Sequence, residues 1–403
     1  MAVLPKLLEA RQHFDNTCIG NIEGAVIEEL QSLELNLKKG SRIAITAGSR
    51  GINNIALILR TVISYIKESG AEPFLVPAMG SHGGASAEGQ LKVLAGLGIL
   101  PEYVGAPIRA SMETVEIGTI ATGFPGKDSM PVHMDRFAYE SDGVIVINRV
   151  KPHTSFHAEV ESGLQKMMAI GLGKAVQAGI IHNFGTKGLK ELISPAARRI
   201  MATGKIIAGL GLVENAYDKL MCIQGFLPGG LVSGEKELLA LARRNMPCLP
   251  ADKLDLLIVE EMGKNFSGTG MDTNIIGRLK IEGEPEPESP AIKRIAVLDL
   301  SEAAGGNAYG IGLADFTTKK LVGKIDYAAT YANMLATNFV ERVKIPFIAE
   351  NEEHAIETAL KTCALSSVED ARIIRIKNTL QLENIQVSAS VFKEAESKLT
   401  VIV

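Results

Sequence analysis

Histidine has the ordinary pKa nearest neutrality, which makes it the commonest side chain for moving protons. This chain has only seven, and five of them fall between positions 82 and 182. Four of those five lie in turn-like segments: His82 in GSHGG, His153 and His157 in KPHTSFH, and His182 in GIIHNFG. A loop histidine taken singly is more often a hydrogen-bonded surface residue than a catalyst, and glycines alone make tight turns. Several delivered to one place are harder to dismiss, because two histidines on opposite sides of a pocket could move protons at either face of a substrate. Arg50 carries a permanent planar charge that fits a carboxylate bidentately. Lys166 stands in an unusually apolar setting, ESGLQKMMAIGLG. It is either a lysine held near its neutral form for covalent attachment or a surface lysine whose stem lies along apolar neighbours.

The elements that must carry these groups follow from the hydrophobic pattern. Runs at 42–47 (RIAITA), 73–79 (PFLVPAM) and 143–148 (GVIVIN) read as buried strands. Each delivers the chain to a polar or glycine-rich turn holding one of the groups above. Segments 52–69 and 85–97, and a further one at 189–203, repeat apolar residues at helical spacing. Strand–turn–helix repetition of this kind predicts an open α/β sheet whose ligands gather outside the carboxyl ends of its strands. Further strands are expected at 205–213, 220–225, 254–260, 294–300, 343–349 and 371–376, with helices at 327–343 and 352–363. The segment PCLPAD (247–252) marks a boundary. Two α/β domains with mostly parallel sheets are therefore expected, residues 1–250 as the catalytic, cofactor-binding part and 251–403 as the second, with the active site in the cleft between them.

Composition narrows the function. Lys+Arg 42 against Asp+Glu 46 leaves a net charge of −4, without the basic surplus of a nucleic-acid binder. The four cysteines are scattered with no C-x-x-C pair, which argues against a thiolate metal site and a disulfide framework. No signal peptide and no membrane-spanning apolar run is expected, so the default location is cytoplasmic. No G-x-G-x-x-G fingerprint follows a strand, and no Walker lysine or G-x-S-x-G elbow occurs. The acidic, proline-rich loop at 282–290 reads as a solvated turn.

In order along the chain stand Ser49-Arg50, Gly80-Ser81-His82, Pro152-His153, then Ser162-Gly163-Leu164-Gln165-Lys166, and His182 sixteen residues after that lysine. Asp272-Thr273-Asn274 with Lys280 follows in the second half. In these motifs the chain resembles the nickel-pincer-nucleotide racemases and epimerases of 2-hydroxy acids, the family of lactate racemase. The resemblance spans most of the sequence and is densest from Thr46 to Gly185. The interval from His153 to Lys166 is longer than in lactate racemase.

The resemblance implies an isomerase. Lys166 would hold the nickel-pincer nucleotide covalently, with Ser49, Ser162 and Gly163 beside the cofactor, and His182 would be the protein's ligand to nickel. His82 and His153 would be the two acid/bases. Arg50 would clamp the substrate carboxylate, and Lys280 would add a second positive contact from the other domain. The α-hydrogen of a 2-hydroxy carboxylate is a very weak acid, so the implied route takes it as hydride onto the cofactor while a histidine takes the hydroxyl proton. The implied partners are a small-molecule 2-hydroxy acid and, transiently, the enzymes that make the cofactor, with no nucleic acid and no membrane.

Departures from lactate racemase bear on the substrate. Ala47 stands where that enzyme has an acidic residue. Ile276 and Gly277 stand where it has Tyr and Gln, and there is no Trp. Smaller side chains there would admit a longer substrate, such as an aldonic acid. The polar segment 262–272 (MGKNFSGTGMD) reads equally as a set of hydroxyl contacts through Lys264, Asn265, Ser267 and Thr269 or as a structural loop. Two other readings are a nicotinamide-dependent hydroxy-acid oxidoreductase, which the missing glycine fingerprint opposes, and a non-catalytic binder of sugar acids or anions.

Overall fold

In the computed structural model, residues 5–402 are described, and they fall into two units divided between Met246 and Pro247. The N-terminal unit covers Asp15–Met246. Its five-stranded sheet runs in the order Glu72–Pro77, Arg42–Ala47, Gly143–Arg149, Ile206–Glu214, Leu220–Phe226. The first four strands are parallel and the last is antiparallel.

The strand at 143–149 explains why this sheet is buried on both faces. Val144 and Val146 enter one core with Met167, Met168 and Leu172, while Ile145 and Ile147 enter the other with Ile58, Leu59 and Ile63. Burying each such side chain contributes about 1.5–3 kcal/mol, so a one-residue slip that exchanged the faces would be opposed on both sides. The helix Ile55–Glu68 covers one face with an apolar stripe. The opposite face is covered by Pro228–Asn245, Ile193–Met201 and a short π-helix, Met167–Leu172. The helix expected over 189–203 is two helices, Gly185–Glu191 and Ile193–Met201. An antiparallel ribbon, Thr114–Phe124 with Lys127–Asp135, was not anticipated, because its glycines and interspersed polar residues blur the alternation.

The second unit has an eight-stranded mixed sheet. Phe347–Ala349, Phe316–Thr318, Ala291–Leu300, Lys253–Met262 and Ile373–Ile376 are parallel neighbours. Asn384–Val387, Leu8–Gln12 and Leu399–Val401 extend the sheet antiparallel. The sequence reading assigned residues 1–250 to one domain. The structure instead places the strand Leu8–Gln12 between two C-terminal strands, so residues 5–14 belong with this second unit. Main-chain pairing across nearly the whole length of the chain has no local signature. Among the described residues no helix is long and apolar enough to cross a membrane.

Candidate active site

Three turns of the N-terminal unit leave the carboxyl ends of neighbouring parallel strands. Arg42–Ala47 leads to Ser49 and Arg50, Glu72–Pro77 leads to His82, and Gly143–Arg149 leads to the loop with His153. The chain passes from the first of these strands to a neighbour on one side and later returns on its other side. Such a reversal of strand order opens a crevice at the strand ends.

Within it, Ser49 Oγ and His82 Nδ1 share a short hydrogen bond. The expected cofactor contact Ser49 is thus engaged with an expected acid/base. The turn bearing His82 is tied from below. Gln90 Nε2 donates to the carbonyls of Gly80 (3.0 Å) and His82 (3.4 Å). Gln90 in turn accepts from Lys174, which also donates to the Pro77 carbonyl and pairs with Asp135 at 3.0 Å. Lys174 and Asp135 are both fully buried; burial depresses the pKa of the lysine and raises that of the carboxyl.

The loop 151–162 closes on itself through paired backbone hydrogen bonds between Lys151 and Ser162 (2.9 and 3.2 Å). Glu161 holds it from inside, accepting from the N–H groups of His153 (2.6 Å) and Ala158 (3.1 Å) and from Arg243. Burial alone would raise this carboxyl, but hydrogen bonds from His157, the His153 N–H and Arg243 outweigh it and hold the pKa below the ordinary range. His153 stacks on buried Phe156 (centroids 4.4 Å apart), and its Nδ1 accepts from the Ser155 N–H at 3.0 Å. In a neutral ring so bonded the proton sits on Nε2.

Lys166 ends a three-residue helical turn, Leu164–Lys166, and its ammonium lies 6.0 Å from the ring centre of Phe156. His153 and Lys166 therefore meet the same aromatic ring. Lys166 is half-buried. Burial first, then the charges of Arg50 and Lys151, pull its pKa down from 10.5 to about 7, while Glu161 opposes the shift. That favours the near-neutral lysine over the snorkelling one.

The turn itself is set by Glu235, a buried carboxylate on the helix Pro228–Asn245. It accepts from the Gln165 backbone N–H (3.1 Å) and from Gln165 Nε2 (2.9 Å). Gln165 Oε1 accepts from Ser194 at 2.8 Å. A Cβ at Gly163 would stand 1.8 Å from Glu235 Oε1, so any side chain there must displace this carboxylate from the Gln165 N–H. Gly163 and Ser162 thus shape the approach to Lys166 through their backbones.

His182 is the last residue of the helix Lys174–His182 and does not lie in a turn. Burial, with the charge of Lys166, lowers its pKa and favours the neutral, metal-ligating imidazole. Among the described residues no three His, Cys, Asp or Glu side chains gather to hold a metal ion. A metal on His182 would therefore draw its other donors from outside the chain, and soft sulfur donors would suit nickel beside imidazole. Arg50 has no carboxylate partner among the described residues, whereas neighbouring Arg149 is paired with Glu214. Burial, with repulsion from Arg149, lowers the Arg50 pKa.

Lys264 and Lys280 lie in the second unit. Lys264 donates to the Gly268 carbonyl and to Asn333 Oδ1, both at 2.6 Å. Lys280 is half-buried, and its backbone N–H donates to Glu286 at 2.8 Å. Asp272 caps the short helix Thr273–Ile276, accepting from the Asn274 N–H at 2.9 Å. The room expected beside Ile276 and Gly277 is absent. Ile276 is wholly buried, and Gly277 ends the helix at φ +60° with Pro290 O where its Cβ would be. Ser267 and Thr269 are buried and bonded to each other at 3.1 Å, and Asn265 accepts from Ser301 at 2.6 Å, which favours the structural reading of that loop.

Sequence reasoning missed Glu161, Phe156, Lys151 and Glu235. Glu161 had a weak signal, a carboxylate four residues after His157. Glu235, seventy residues beyond Gln165, had none.

No family model matches the chain, and no curated protein matches it by sequence. Among solved structures it is similar to the lactate racemase apoprotein from Thermoanaerobacterium thermosaccharolyticum, with 14% identity and a TM-score of 0.56 over 94% of this chain and 99% of that one. The likeness establishes a shared α/β fold over nearly the whole of both chains.

Proposed function

We propose that this chain is a racemase or epimerase that inverts C2 of a 2-hydroxy carboxylic acid, using a nickel-pincer nucleotide tethered to Lys166. The observation that carries the reading is the convergence on Phe156, whose ring is stacked by His153 and stands 6.0 Å from the Lys166 ammonium, with burial pulling the pKa of Lys166 down to about 7 and lowering that of His182. These residues fit the group. Lys166 would hold it covalently, His182 would supply the one imidazole donor, and Ser162 and Gly163 would shape its approach. When bound, it would supply an acceptor for the α-hydrogen as hydride.

The chain's own residues would do the rest. Arg50, which has no carboxylate partner among the described residues, is suited to fix the substrate carboxylate. His82 and His153 would move the proton of the substrate hydroxyl. The Ser49 hydroxyl both donates and accepts, so it can support either tautomer of His82. His153 differs, because its Nε2 donates while Nδ1 accepts from Ser155; to take a proton at Nε2 the ring must give up that contact.

Substrate length is not argued from Ile276 and Gly277, whose packing is internal. An aldonic acid remains one member of the proposed substrate class on the polarity of the crevice. The test is co-production with nickel and the cofactor-making enzymes, followed by mass spectrometry of the Lys166 peptide. A panel of 2-hydroxy acids from lactate to gluconate in deuterium oxide reports activity. The reading expects a nucleotide-sized adduct on Lys166 and inversion at C2 with little deuterium entering that carbon. An unmodified Lys166, in a host where a known racemase is loaded, overturns it.

A further inference from the structure

We propose that, in the cofactor-free protein, the Lys166 amine captures 2-oxo acids as a reversible imine, so that such acids compete with the cofactor tether for one nitrogen. The inference rests on the reading of Lys166 as the site's nucleophile and extends it to a second class of electrophile.

The geometry supplies what imine formation needs. Lys166 is half-buried, so a small molecule can reach it, and its amine stands 6.0 Å over the ring of Phe156, in a setting whose desolvation lowers its pKa. A desolvated amine is a better nucleophile than a surface ammonium. Arg50 has no carboxylate partner among the described residues, and Lys151 is a second cation coupled to Lys166. An anionic carbonyl compound is drawn to such a centre, where a neutral one gains nothing from the charges. His153 stacks on the same Phe156 ring, and in the proposed step it serves the carbonyl oxygen as that becomes hydroxyl and then water.

The step balances without a redox partner. The Lys166 nitrogen lone pair adds to the C2 carbonyl carbon, the oxygen takes a proton, and a carbinolamine forms. The C–O bond then breaks, water leaves, and the nitrogen–carbon double bond closes. One amine and one 2-oxo acid give one imine and one water, and hydrolysis reverses it.

The experiment uses the full chain without cofactor, incubated with pyruvate or with methyl pyruvate as its uncharged isostere. Borohydride traps the imine, and peptide mass spectrometry locates it. The expected result is one reduced adduct, on Lys166, absent from Lys166→Met. Arg50 lies in the turn after the strand Arg42–Ala47 and has no carboxylate partner among the described residues, so Arg50→Gln is expected to fold. It should slow trapping of pyruvate about tenfold, the worth of one charge-assisted hydrogen bond, and leave methyl pyruvate within about twofold. Adducts spread over surface lysines, or equal labelling of Lys166→Met, overturn the proposal. Equal slowing of both probes by Arg50→Gln overturns the carboxylate-directed capture. The two readings fail separately: a cofactor adduct with no imine sinks only this inference, and an imine with no cofactor adduct sinks only the proposed function.

Discussion

Two polar strand-end loops of this molecule have opposite fates. The loop at 150–163 and the loop at 263–272 both leave a parallel strand, the first with one glycine and the second with three. In the second, the polar groups spend themselves on one another: Ser267 on Thr269, Thr269 on the Met271 carbonyl, Lys264 on the Gly268 carbonyl. In the first, one buried carboxylate, Glu161, takes up main-chain donors at His153 and Ala158. His153 there stacks on Phe156. The two loops differ in what holds them, a buried carboxylate beneath the backbone in one and the loop's own side chains in the other.

The sharpest way to break this contrast is at the lysine it serves. Lys166→Met should abolish the adduct and lower racemisation by at least about a thousandfold, to background, as read by mass spectrometry and chiral chromatography. His153→Ala and His82→Ala should each cost about a hundredfold to ten-thousandfold in kcat with the adduct intact, the range for losing a general acid or base. If either leaves kcat unchanged, that loop is a scaffold like its counterpart.

Beneath the His82 turn, Lys174→Met leaves Asp135 buried without its cation. It should destabilise the fold by about 3–5 kcal/mol in urea denaturation. In the other loop, Thr269→Val should cost only about 1–3 kcal/mol of stability and leave KM for any active 2-hydroxy acid unchanged. A raised KM would make that loop a substrate contact after all.

A pH measurement refines the picture. The Lys166 amine is depressed to about 7, so its modification by an amine-selective reagent should rise through pH 7 and level off by about pH 8, whereas exposed lysines keep rising towards their ordinary value near 10.4. The sign for stability follows from the same shift. Protonation favours the unfolded chain, so the penalty is full below pH 7 and fades as pH rises towards the unfolded value. Lys166→Met should therefore gain most, relative to the parent, in acid.

Much of the N-terminal fold was legible because its strands are nearly continuous apolar runs ending in glycine-rich turns. GVIVIN is buried on both faces, and such a run needs no partner information to be recognised. The strand-end positions of Arg50, His82 and His153 were legible for the same reason, since each follows one of those runs, whereas Lys166 stood out only by its apolar neighbours. The ribbon at 114–135 and the two-helix break at Leu192 were not, since neither has a clean period. Ile276 and Gly277 were misread because a position in a motif says nothing about which way the chain packs there.

The sequence by itself determined the α/β class, the strand ends and the order of the reactive residues, since periodicity and turn chemistry are local. Only the tertiary structure decided which groups are activated and which are consumed. The lowered pKa of Lys166 depends first on burial and then on Arg50 and Lys151, the pose of its helical turn on Glu235, and the place of the first strand on strands near the opposite end of the chain. Burial and charge act through space, and residues such as Arg50 and Glu235 stand far from Lys166 in the sequence.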